Sequence, residues 1–171
     1  GTSANSNPAI AVNSGLTVTT SGNILFQDTA GSLASNSISV AGTVLAQSGT
    51  LSIATQSAKN ATVSSGGALQ TSGTGAIAVN LAGGSFTNAG AITLGGGTPT
   101  TIATSSSGAL NTGTITYANA AANTLNITGA AAVTLGAITS SGGALATNIT
   151  GSAITGGSTI NTNGGLLTIT N

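Results

Sequence analysis

Charged and aromatic residues are almost missing from this chain of 171 residues, which contains one Lys, one Asp, two Phe and one Tyr. An ordinary globular domain is about a quarter charged. Disordered segments combine low hydrophobicity with a high net charge, whereas this chain is 39% hydrophobic and has zero formal charge. The composition therefore predicts an ordered protein with an unusual surface.

The scarcity of titratable side chains argues against catalysis. General acid–base chemistry needs a titratable pair, and the chain offers only Asp28 and Lys59, far apart in sequence. His and Cys are absent, so no imidazole can activate a Ser and no thiol can replace it. We therefore expect no enzyme activity and no cofactor. Asp28 and Lys59 are expected to lie in solvated loops, or to form a salt bridge between coils or subunits.

The same absences limit the possible ligands. Zinc is held by His, Cys or carboxylates, and calcium needs several oxygen ligands, which a single Asp does not supply. Nucleic acid binding depends on basic residues that contact phosphates. Apolar runs are far shorter than the roughly 18 to 20 residues of a spanning helix. We expect no metal site, no nucleic-acid partner and no membrane span.

Short runs in which apolar and polar residues alternate make up much of the chain. A period of two with many β-branched residues is typical of half-buried strands, and Gly, Ser and Asn between the runs favour turns. No segment of helical length carries a 3.6-residue apolar stripe, so the fold class predicted is all-β. The predicted strands cover 9–12, 16–19, 37–40, 51–54, 76–79, 91–94, 114–117, 125–128, 133–135 and 167–170.

The spacing of similar runs indicates a repeat. Leu125, Leu145 and Leu167 recur at spacings of 20 and 22, and Ile92 and Ile115 at a spacing of 23. A repeat of about 20 residues fits one coil of a β-helix with three short strands. Residues 1–171 are therefore predicted to form a single parallel β-helix (β-solenoid) of about eight coils, roughly 40 Å long at about 4.8 Å per coil.

Stacking of coils explains the composition. A charged residue repeated in every coil would face itself about 5 Å away, whereas stacked Ile, Val and Leu fill a narrow interior. Stacked Asn can form hydrogen-bonded ladders, and Asn126, Asn148, Asn161 and Asn163 are candidates for such corners; the alternative is that they are plain turn residues.

Three Asn-x-Ser/Thr sequons begin at Asn60, Asn126 and Asn148. They are candidate glycosylation sites if the side chains point outward in a cell that has the enzymes. Chance alone also produces such sequons in a chain so rich in Asn and Thr.

Two segments carry a resemblance to known families. The segment 133–145, VTLGAITSSGGAL, resembles the repeats of filamentous-haemagglutinin-type adhesins exported by two-partner secretion. The segment 156–169, GGSTINTNGGLLTI, is similar to autotransporter passenger repeats. Members of these families generally carry scattered Asp, Lys and Arg. This chain departs from that pattern, because it contains one Asp, one Lys and no Arg. The resemblance implies a secreted structural protein, extracellular or at the cell surface.

The function expected is that of a rod in a bacterial surface adhesin or a self-assembling fibre, as part of a larger surface protein or filament. A surface without net charge favours association, and the first and last coils are unpaired strand edges. The expected partners are other copies, end to end or laterally, and a host surface or matrix polysaccharide.

Two other functions stay open. An ice-binding β-solenoid would need Thr-x-Thr in successive coils, and the tripeptide occurs at 17–19, 98–100, 114–116 and 168–170. A segment of a viral tail fibre, which usually trimerises, is the third possibility. Thermal hysteresis would identify an ice-binding protein, and the symmetry of the oligomer would identify a tail fibre.

Overall fold

The computed structural model describes residues 10–28, 36–56, 58–97, 99–105 and 107–171, and in these ranges the chain is all-β, without a helix. The alternating runs form strands because side chains on alternate positions enter the interior. The strands in chain order are β1 (Ile10–Val12), β2 (Thr17–Thr20), β3 (Ile24–Asp28), β4 (Asn36–Val40), β5 (Thr43–Ala46), β6 (Leu51–Thr55), β7 (Asn60–Val63), β8 (Ala68–Thr71), β9 (Ile77–Ala82), β10 (Phe86–Asn88), β11 (Ala91–Leu94), β12 (Thr100–Ser105), β13 (Leu110–Asn111), β14 (Thr114–Tyr117), β15 (Asn123–Leu135), β16 (Ile138–Ser140), β17 (Leu145–Gly156), β18 (Ile160–Asn161) and β19 (Leu167–Thr170).

Neighbouring strands pair in parallel, and each coil of the chain passes through three faces. The first face stacks β1, β4, β7, β10, β13 and the C-terminal parts of β15 and β17. The second face stacks β2, β5, β8, β11, β14, β16 and β18. The third face stacks β3, β6, β9, β12, the N-terminal parts of β15 and β17, and β19. The predicted parallel β-solenoid is confirmed.

Strands β15 and β17 are much longer than the short strands expected from the sequence, because each continues through the corner between the third and first faces. Their pairing shifts register between Gly129 and Ala132, which is a bulge of one residue. A side chain at Gly129 would collide with Val133 Cγ2, so a Gly at this position lets the strand bend closely around the core.

The predicted coil count was too high and the predicted coil too short. The second face holds seven strands, so the chain completes six turns between β2 and β18. Thr17 pairs with Thr43, a spacing of 26, whereas Ile138 pairs with Ile160, a spacing of 22. At about 4.8 Å per coil, six steps span roughly 29 Å rather than 40 Å. Corners of varying length, which carry no periodic signal, account for the longer coils.

The register confirms one predicted repeat and corrects another. Ile92 pairs with Ile115 as the spacing of 23 predicts. Leu125 pairs with Thr147 rather than with Leu145, and Thr147 pairs with Leu167. A shift of two residues keeps every side chain on the same face, so the alternating pattern alone did not distinguish the two registers.

Three ladders of apolar side chains, one behind each face, run through the core, and further buried residues such as Leu51, Ile77 and Tyr117 pack beside them. Inside each ladder the five central members are at most 1% exposed. The first ladder contains Ile10, Ile38, Ala61, Phe86, Leu110, Val133 and Ile154. The second contains Val18, Val44, Leu69, Ile92, Ile115, Ile138 and Ile160. The third contains Phe26, Ile53, Val79, Ile102, Ile127, Ile149 and Ile169.

Polar side chains at the corners turn inward and bind loop carbonyls. Thr104 Oγ1 donates to Gly108 O at 2.7 Å, and Ser140 Oγ donates to Gly143 O at 2.7 Å. The buried Asn88 donates through Nδ2 to Thr112 O at 2.6 Å. Buried carbonyls need a donor, so these side chains supply the hydrogen bonds where the strand ladder is interrupted.

Candidate functional site

Uncharged side chains form columns at the outward positions of the three faces, and most of them are small, although Leu45 and Gln70 are exceptions on the second face. On the second face, Thr93 Oγ1 and Thr116 Oγ1 lie 3.4 Å apart in successive coils. On the first face, Thr134 Oγ1 and Thr155 Oγ1 also lie 3.4 Å apart. Such columns offer evenly spaced hydrogen-bond donors and acceptors about 4.8 Å apart along the rod.

On the third face, two Asn side chains from successive coils lie next to each other. Asn126 and Asn148 are register partners, and Asn148 Nδ2 donates to Asn126 Oδ1 at 2.9 Å. The predicted stacking of Asn is therefore present for this one pair, which lies in strands rather than at corners, and the register neighbours on either side are Thr101 and Thr168. Asn161 is the last residue of β18, and its Oδ1 accepts from Asn163 N at 3.0 Å. Asn163 is a turn residue with a positive φ of 47°.

The three sequon asparagines, Asn60, Asn126 and Asn148, are half-buried and lie in β7, β15 and β17. Asn60 Oδ1 accepts from Ser85 N at 2.8 Å, and the other two bind each other. Glycosylation at these sites stays a prediction. The geometry shows what a glycan would displace, because modification at Asn148 uses the nitrogen that now donates to Asn126.

The two charged residues lie in different settings. Asp28 ends β3 and is 6% exposed, so the expected solvated loop is wrong for this residue. Its Oδ2 is buried without a hydrogen-bond partner in the described part of the chain. Lys59 lies at a corner, where its backbone carbonyl accepts from Thr55 Oγ1 at 2.8 Å. The inward alternation of β3 buries Asp28, which follows Ile24 and Phe26 at intervals of two.

The Thr-x-Thr tripeptides do not form a continuous row in the described coils. Thr17–Thr19 and Thr114–Thr116 lie on the second face but are separated by three coils, and Thr168–Thr170 lies on the third face. The tripeptide 98–100 begins at a residue outside the described ranges. Between the two tripeptides of the second face, outward positions include Leu45 and Gln70, which interrupt a threonine surface.

The C-terminal end of the solenoid contains an open apolar cavity of about 390 Å³. It is lined by the last members of all three ladders, Ile154, Ile160 and Ile169, together with Leu135 and Asn171. Because these side chains have a neighbouring coil on one side only, the core of the solenoid reaches solvent here.

The exposed large apolar side chains of the described residues all belong to the first or last coil. They are Leu16, Val18, Leu25, Leu166, Leu167 and Ile169. Sequence reasoning anticipated unpaired strand edges at the ends but did not identify these residues. Val18 and Ile169 occupy the same inward positions as the buried ladder members, so the local pattern does not distinguish them, whereas Leu25 is an outward residue of β3 that pairs with Ser52.

Within the described ranges, no group of three or more His, Cys, Asp or Glu is placed to hold a metal ion, and no helix is long and apolar enough to cross a membrane. Comparisons with protein-family models, with curated proteins and with solved structures find no match.

Proposed function

We propose that this chain is a rigid structural segment of a bacterial surface adhesin or fibre, a secreted rod that supports or spaces a binding region and has no catalytic centre. The observation that supports the proposal is the continuous stack of three apolar ladders beneath outward columns in which Ser, Thr, Asn and Ala predominate. Such a stack spans distance with a repeated unit, and its hydroxyl columns suit contact with a matrix polysaccharide or host surface rather than chemistry.

Immunogold labelling of intact cells of the source organism tests this role. Antibodies against the purified chain should decorate unpermeabilised cells or extracellular fibres, and brief external protease treatment should remove the label. Antibodies against a cytoplasmic protein, applied in parallel, report on cell integrity. Labelling that occurs only after permeabilisation would contradict the proposal.

A further inference from the structure

The third face carries a recess in its middle coils. The recess has a volume of about 330 Å³ and lies where β12 is flanked by β9 and β15, with further coils stacked on both sides. At its base lies Ala103, whose register partners in the neighbouring coils are Asn80 and Thr128. Both partners are exposed, and Ala103 is half-buried. The recess therefore arises because a small side chain lies between two longer ones in one outward column.

The rim of the recess is polar and uncharged. Ser105 lies two residues after Ala103 and pairs with Ala82, so that a hydroxyl and a methyl group border the recess on its other side. None of the residues that line the recess is charged. A charged ligand would lose water here without gaining an ionic partner. The lining therefore suits a neutral ligand that carries hydroxyl groups.

The rim also contains side chains that the chain itself does not engage. No hydrogen bond to another described residue involves the side chain of Asn80 or Thr128, whereas Asn126 and Asn148 of the same face bind each other. The hydroxyl of Ser105 donates to a backbone carbonyl at 3.3 Å, and its oxygen still has lone pairs that can accept. Both donors and acceptors of the rim are therefore accessible to a ligand.

We propose that this recess binds one sugar ring of a neutral polysaccharide; this inference rests on the structural role proposed above. Asn80 and Thr128 are two strand spacings apart, about 10 Å, which leaves room for a ring whose hydroxyl groups reach both side chains. The C–H face of the ring packs on the methyl group of Ala103. An apolar base with a few polar groups around it is the usual composition of a small-molecule site.

A repeating ligand also fits the way in which a surface rod is displayed. The recess is open to solvent, so a single sugar contact is expected to be weak. Many copies of the chain at one surface would contact many sugars of the same polymer, and linked contacts of this kind raise the overall affinity well above that of one site.

Three substitutions test the proposal. Ala103→Leu fills the base of the recess, and Thr128→Val removes one rim hydroxyl while keeping the shape of the side chain. Ala68→Leu is the matched control, because Ala68 is also a half-buried, outward Ala between two neighbouring coils but lies on the second face. Circular dichroism melting curves establish that each variant is folded.

Nuclear magnetic resonance titration provides the readout, with oligosaccharides of dextran and of laminarin as two neutral probes and dextran sulfate as a charged one. In the parent chain and in Ala68→Leu, a neutral probe should shift the backbone amides of 80–82, 103–105 and 128. Ala103→Leu should weaken this binding at least about tenfold, because the added group occupies the place of the ring. Thr128→Val should weaken it about threefold to tenfold, as expected for the loss of one hydrogen bond. Dextran sulfate should bind no more tightly than dextran.

Other outcomes overturn the proposal. Binding that is unchanged in Ala103→Leu would place the sugar on the hydroxyl columns, and tighter binding of dextran sulfate would assign the contact to charge. Shifts of the same amides with protein concentration alone would show that a second copy occupies the recess. A parent chain that binds neither neutral probe would reject the site. Each of these results leaves the surface role intact, because immunogold labelling does not depend on polysaccharide binding.

Discussion

At the corner between the first and second faces, two successive glycines differ in their surroundings. A Cβ at Gly67 would collide with Val40 O and lie 2.9 Å from Val63 Cγ1, whereas a Cβ at Gly66 would lie 3.8 Å from its nearest neighbour, Ala41 O. Stacked coils bring backbone carbonyls of one corner directly beneath the next corner. The distance from a carbonyl oxygen of the preceding coil therefore determines whether a corner position can accept a Cβ atom.

The glycine pair gives a first prediction. Gly67→Ala should lower the free energy of unfolding by about 2 kcal/mol, because the corner must move away from backbone that is itself packed. Gly66→Ala should change it by less than about 0.5 kcal/mol or raise it slightly. Urea denaturation of the two variants measures both values, and equal destabilisation would contradict the steric explanation.

Tyr117 is a titratable residue whose side chain lies in the core. The side chain is buried, and its hydroxyl donates to Ala121 O at 2.5 Å. Desolvation raises the pKa of the Tyr117 phenol above its ordinary value of 10.0, because burial disfavours the charged form.

The second prediction follows from that pKa. The unfolded chain loses the phenol proton near pH 10 while the folded chain keeps it, so stability should be unaffected by this group below about pH 10 and should fall above it. Melting temperatures between pH 8 and about pH 11 measure the effect. In Tyr117→Phe the fall should be reduced, and an identical decline in the variant would assign it to another group.

Within a strand, alternate side chains point into the core and out to solvent. In β14, Ile115 belongs to the second ladder and is fully buried, whereas its neighbour Thr116 points outward and is exposed. Thr116 Oγ1 makes only long hydrogen bonds, at 3.4 Å to Ile92 O and to Thr93 Oγ1. We therefore expect the inward Ile115 to contribute more to stability than its outward neighbour Thr116.

The third prediction compares these two neighbours. Ile115→Ala should cost about 2 to 5 kcal/mol, because it leaves a cavity between Ile92 and Ile138 that the close-packed ladder fills poorly. Thr116→Ala should cost less than about 1 kcal/mol, since it removes weak, exposed hydrogen bonds. Chemical denaturation of both variants gives the values, and a larger loss in Thr116→Ala would place the stability in the outward columns instead.

Along the whole molecule, stability comes from contacts between neighbouring coils. Central coils have a coil on each side, and the end coils have one. In such quasi-one-dimensional folds, stability is approximately a sum of repeat and nearest-neighbour terms. The ends of the rod should therefore open more readily than its middle.

Hydrogen exchange measures this difference and gives the fourth prediction. Backbone amides of β8, β11 and β14 should exchange slowest, and those of β2 and β18 fastest, when the chain is dilute enough to be single. Uniform protection from end to end would show that the solenoid opens as one cooperative unit.

Local pattern was sufficient to predict the fold class and much of the strand content. Runs such as 91–94 and 114–117 alternate clearly, and the spacing of 23 between Ile92 and Ile115 gave their true register. The candidate ladder of Asn126 and Asn148 was also recognisable from composition and sequons, although its position in strands was not. The open ends were predicted as strand edges without their residues.

The sequence by itself determined that the chain is all-β, because the alternation of apolar residues can be read within each short run. The repeat of similar runs predicted the parallel stack, and the composition predicted a mainly aliphatic interior, to which Phe86 and Tyr117 are exceptions. Only the tertiary structure decided the register between Leu125 and Thr147, the number of turns, and the burial of Asp28. Corner lengths vary without a local signal, and a shift of two residues preserves the inward face. Which residues meet therefore depends on how each coil closes on the next.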